Sequence, residues 1–116
     1  MGGVLIGSEL KNSRLEVLRS FAEKRPQDPF PRYALAMELK TSGDGEGAWR
    51  AFEALIAEHP DYLASYAPAG GVLIELDRLD DAHLVYGKGI EACTRQGDAH
   101  ARDHLESALA ALERDK

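Results

Sequence analysis

A single cysteine, Cys93, is all the chain offers for disulfide chemistry, so no internal bridge can form and a reducing compartment is the simpler setting. Long apolar runs are missing too, and nothing approaches the roughly 20 residues of a membrane-spanning helix. Val4-Leu5-Ile6 is too short for the apolar core of a signal peptide, and no basic residue precedes it. Met1-Gly2 opens a myristoylation motif that wants Ser or Thr at the sixth position and meets Ile6 instead. These absences set the expectation of a cytoplasmic protein without membrane contact. Basic charge is in deficit as well. The net charge of −6 argues against nucleic acid, whose affinity depends on clustered Lys and Arg.

Catalytic and nucleotide-binding motifs are also lacking. Residues 66–76, YAPAGGVLIEL, are compatible with a phosphate-cradling turn, a buried strand or an interrupted helix. A phosphate loop wants G-x-x-x-x-G-K-[ST], or G-x-G-x-x-G after a strand, and neither occurs. Gly87-Lys88-Gly89 lacks both the upstream glycine and the following Ser or Thr. His100 and His104 stand four apart, a helical spacing at which two imidazoles reach one zinc ion, but further ligands at a matching spacing are missing. Cys93 follows Ile90 at a helical spacing, which suits a packed thiol better than a nucleophile served by His59 or His83. Neither paired carboxylates at a catalytic spacing nor a serine elbow is found. No catalytic residue, metal site or cofactor is expected, and an enzyme using His100 and His104 stands only as an alternative.

What is present is a soluble, globular composition: 116 residues, 44% apolar and 29% charged, enough for one domain with one core. The charge is divided unevenly. Residues 1–40 hold seven basic and five acidic side chains (+2), and residues 41–116 hold seven and fifteen (−8). That pattern gives a solvated acidic face, or a docking face for a basic partner or for the basic end of another copy.

The chain also repeats. A shift of 34 residues aligns Ala36 with Gly70, Leu39 with Leu73, Ala48 with Ala82, Phe52 with Tyr86 and Ile56 with Ile90. The opposite shift aligns Leu18 with Phe52, Ala22 with Ile56 and Pro26 with Pro60. The matches fall at helical spacings, so each repeat is a helix pair. In this the chain resembles the tetratricopeptide repeat family, in its small bacterial form, whose pattern is W-x2-L-G-x2-Y, then A-x3-F, then P. Residues 29–62 meet it with Leu35, Ala36, Leu39, Ala48, Phe52 and Pro60, and residues 63–96 with Tyr66, Gly70, Leu73, Ala82 and Tyr86. Three positions depart from it: Arg32 replaces the first aromatic, Thr94 stands at the closing proline, and Gly89 occupies a usual packing position.

The expected architecture is all-α, a helix-pair array of about two and a half repeats. A flexible segment (1–12) leads into a half-repeat (13–28), two repeats (29–62 and 63–96) and a capping helix (98–114). Helices are expected near 13–25, 29–42, 46–58, 62–77, 80–95 and 98–114. Ser13 with Glu16 reads as a capping box, Asp28-Pro29 and Asp61 as helix starts, and Gly43 and Gly97-Asp98 as stop signals. Pro68 interrupts the fourth helix. Either Ser65 caps a late start, which puts Pro68 at the third helical position, or the helix begins near Tyr62 and kinks; the shared face of Tyr62, Leu63 and Tyr66 favours the kink. Gly70 sits where the family brings its two helices together. The stripe Ala101, Leu105, Ala108, Leu109 and Leu112 gives the last helix one apolar face.

The resemblance further implies a right-handed superhelix whose first helices line a concave face. The family's lining positions fall on Phe30, Tyr33, Met37 and Lys40, then on Ala64, Ala67, Gly71 and Ile74. One wall is aromatic and flexible, the other small and apolar, which suits an apolar side chain or a docked helix. The family's carboxylate clamp of Lys and Asn is absent, since its positions hold Tyr33, Ala34 and Met37, then Ala67, Pro68 and Gly71. The expectation is therefore a non-catalytic interaction module binding a protein or peptide at Phe30, Tyr33, Met37, Lys40, Ala67, Gly71 and Ile74. Self-association into a homo-oligomer, with the groove covered by the protein's own helices, is the alternative.

Overall fold

Local capping chemistry sets most of the helix boundaries. Asp28 accepts a hydrogen bond from the Phe30 N–H at 3.1 Å, and two prolines occupy the first turn behind it. Asp44 does the same for Gly47 at 2.9 Å, and Asp98 for Ala101 at 3.0 Å. Helices stop where the chain turns left-handed, at Gly43 (φ 89°) and Gly97 (φ 71°). The computed structural model describes residues 7–115, with side chains from Ser13 onward. Among these residues lie α1 (Gly7–Lys24), α2 (Pro29–Thr41), α3 (Gly45–Glu58), a 3-10 turn (Leu63–Ser65), α4 (Tyr66–Glu75), α5 (Leu79–Gln96) and α6 (Ala99–Arg114).

Consecutive helices pack side by side, with α2–α3 and α4–α5 forming antiparallel pairs and α1 and α6 closing the two ends. The molecule measures 55 × 32 × 20 Å, and its thinnest dimension is that of two helix diameters. Most repeat matches become core positions: Ala36, Ala48, Phe52, Leu73 and Ala82 are fully buried, and Leu39 and Tyr86 nearly so. The stripe on α6 faces inward, with Leu105 and Leu112 buried and Ala101, Ala108 and Leu109 packed partly against the core.

Three expectations change. The first helix begins at Gly7, so residues 7–12 are helical and Ser13 lies inside the helix rather than capping it; no proline or glycine interrupts residues 8–13 to force a later start. Residues 1–6 lie outside the described residues. The fourth helix starts late instead of kinking. A 3-10 turn ends at Ser65 and α4 begins at Tyr66, so the missing N–H of Pro68 falls among the first-turn donors that have no intrahelical acceptor. Ser65 is not a side-chain cap, because its hydroxyl donates to the Tyr62 carbonyl at 2.8 Å. Tyr62 and Tyr66 consequently part company: Tyr62 leans on Tyr33 with ring centroids 5.6 Å apart, and Tyr66 is buried under α5. Asp61 caps nothing. Its carboxylate pairs with Arg95 at 3.2 Å, and its carbonyl accepts from Gln96 at 2.6 Å, tying the inter-repeat loop to the end of α5.

Candidate interaction surfaces

The positions singled out on α2 recur every three or four residues, so they share one side of the helix. Phe30 is 61% exposed. Its ring lies 6.5 Å from that of Tyr33, which in turn meets Tyr62, so three rings form a ladder from the start of α2 to the turn before α4. Burial pushes the Tyr62 hydroxyl pKa up, helped by Tyr33 and Asp28, and the phenol stays a neutral donor. Met37 is half-buried against the core, and Lys40 is half-buried at the far end of α2.

On α4, Ile74 is 39% exposed, and a Cβ built at Gly71 would meet nothing within 4 Å. Ala67, with Leu63 and Ala64, lines a hollow of about 370 Å³. Its opposite wall is α6, through Asp98, His100, Ala101, His104 and Leu105. The small residues of α4 are therefore brought together with the capping helix, while the ring ladder gathers around Tyr62. His100 and His104 stand at the mouth of that hollow, and no group of three His, Cys, Asp or Glu side chains is placed to hold a metal ion among the described residues. Cys93 is fully buried, and burial together with Asp98 pushes its thiol pKa up, which keeps it protonated. No helix among the described residues is long and apolar enough to cross a membrane.

Reading the sequence for the first-helix face missed a larger cleft on the other layer. It measures about 460 Å³ and runs between α3 and α5. Trp49, Ile56, Ala57, Val85 and the buried Tyr66 line it, and Leu84 stands beside it 62% exposed. Glu53, Asp81, Lys88, Glu91 and Arg95 supply its charge. Trp49 is itself buried, and the Arg78 guanidinium lies 5.8 Å from its ring centre. The available signals were Trp49, the single tryptophan, and Leu84, an apolar residue off the core stripe of α5.

Helix pairs stacked in a 34-residue register define a helical-repeat protein. Two solved structures of a tetratricopeptide repeat domain protein from Salinibacter ruber superpose on it with TM-scores of 0.74 and 0.72, each at 36% identity. The matches cover 78% and 77% of this chain, and 92% and 99% of those chains. The chain belongs to the tetratricopeptide repeat family. MamA shares the fold at 20% identity with a TM-score of 0.64, over 90% of this chain and 68% of its own. No family model and no curated protein matches the sequence. Membership supports, in general terms, a protein-interaction module with protein partners.

Proposed function

We propose that this chain is a non-catalytic adapter that takes an apolar peptide or a helix along its concave first-helix face. Phe30, Tyr33, Met37 and Lys40 make one side of the groove, and Ala67, Gly71 and Ile74 the other. The observation that carries this reading is the exposure of Phe30 and Ile74, large apolar side chains at two of the positions that line the concave face in the family. Burying such side chains is worth about 25 cal/mol per Å², so a partner that covers them gains what the fold leaves unused. The open space over Gly71 lets a partner backbone approach α4 closely.

Capture from native lysate tests it, comparing wild type with Met37→Glu and with Phe30→Ser. The second variant alters an exposed side chain and leaves the core untouched. A protein held by the wild type and lost by both variants supports groove binding, and identical sets with all three baits overturn it.

A further inference from the structure

Five large apolar side chains are conspicuously exposed among the described residues, and Phe30 and Ile74 belong to the groove. The other three serve nothing described so far. Val17 (52% exposed) and Phe21 (46%) stand four apart on α1, so they share a side of that helix. Arg19, Ala22 and Glu23 look toward α2 and α3, and Val17 and Phe21 lie around the helix from them. At three and four residues from this pair stand Arg14, Lys24 and Arg25, and every charged neighbour at those spacings is basic. The Arg25 guanidinium lies 5.9 Å from the Phe21 ring centre. Arg14 is held by Glu38 at 3.0 Å, so this side of α1 is an apolar pair with Lys24 and Arg25 as its remaining cations.

Leu84 is the third exposed residue, and the α3–α5 cleft beside it has the opposite electrostatic character. Asp81 is held by Arg78 at 2.8 Å, and Arg95 by Asp61 at 3.2 Å. The remaining cleft charges are Glu53 and Glu91 against Lys88, an acidic excess. The division of the whole chain, +2 over residues 1–40 and −8 beyond, acts in the same sense at longer range.

We propose that the apolar, cationic side of α1 docks in the α3–α5 cleft of a second copy of this chain. Val17 and Phe21 enter beside Leu84, and Lys24 and Arg25 meet Glu53 and Glu91. The contact joins two different surfaces, and each copy carries one of each, so association is head to tail and grows with concentration. The first-helix face stays free, and the contact stands independently of groove binding.

Sedimentation velocity across a concentration series, at low salt and at about 0.5 M salt where charges are screened within a few ångströms, tests the contact. The wild type is expected to rise from the 12.7 kDa of one chain to twice that mass or more at low salt, and to fall back at high salt. Phe21→Glu, Val17→Glu and Leu84→Lys are each expected to remain single chains, with unchanged helical circular dichroism. Phe21→Glu keeps an intact cleft and Leu84→Lys an intact α1. Mixed in equal amounts, they should form a pair of twice the chain mass that grows no further. A wild type that stays a single chain at high concentration and low salt overturns the proposal. So does association that survives both α1 variants, or a mixture that fails to pair while the wild type associates.

Discussion

The repeats at 29–62 and 63–96 share one register but carry side chains of different size at their helix contacts. Where the first has Arg32 and Leu55, the second has Tyr66 and Gly89. Arg32 sends its guanidinium out to Glu58 at 3.1 Å and leaves its Nε buried without a hydrogen-bond partner, while Leu55 is fully buried. Tyr66 is buried whole, with its hydroxyl donating to the Pro60 carbonyl. Gly89 has to be small beside it, because a Cβ there would lie 2.7 Å from Tyr66 Cβ and from Leu105 Cδ1. The same contrast holds at Ala36 and Phe52 against Gly70 and Tyr86: a Cβ on Gly70 would fall 2.8 Å from Tyr86 Cδ1 and closer still to Cε1 and Cζ. A departure from the repeat pattern at one position is answered by the residue packed against it. Gly89, an anomaly within the pattern, is the counterpart of Tyr66.

Substitution can break this compensation, most severely at Gly70. Gly70→Val drives two methyl groups and a Cβ into the Tyr86 ring, and stability should fall by about 3 kcal/mol or more, read from the midpoint of urea unfolding. Adding Tyr86→Leu should recover part of that loss, and strict additivity of the two changes would show that Gly70 and Tyr86 do not share the contact. At Gly89 the clash is with one movable methyl of Leu105 and with the Cβ and Cγ of Tyr66, held close to the backbone of α4. Gly89→Ala is expected to cost about 1–3 kcal/mol, with Leu105→Ala relieving some of it and not all. The smallest effect has the opposite sign. Gly71 neighbours Gly70 in α4 but opens onto empty space, so Gly71→Ala should stabilise the fold by about 0.5–1 kcal/mol through helix propensity alone. A thermal melt that shows Gly71→Ala destabilising would mean that this side of α4 is closed in solution.

Much of the fold was legible in the chain, because helix periodicity and capping act over a few residues. Asp28, Gly43 and Gly97-Asp98 mark their boundaries for local reasons, and most positions matched across the repeats are buried, though Leu18, Ile56 and Ile90 are half-buried and Pro26 and Pro60 exposed. The start of α4 was legible only as one of two alternatives, because Pro68 permits a late start as well as a kink. Tyr62, Leu63 and Tyr66 have the spacing of one helical face, which favoured the kink, whereas in the structure the Tyr62 ring meets Tyr33 of the neighbouring repeat. Candidate surfaces divide in the same way. Phe30 and Tyr33 sit on one side of α2 by spacing alone, but the wall opposite Ala67 is α6, and no local pattern announces that.

Spacing and side-chain chemistry, both local properties of the chain, thus account for the helix-pair repeat, its 34-residue period and the identity of its core. The depth of the α3–α5 cleft, the hollow between α4 and α6, and the need for glycine at positions 70 and 89 belong to the tertiary structure. They follow from how closely one helix approaches another. That distance is set by side chains separated widely along the chain, and a 3.6-residue period carries no information about it.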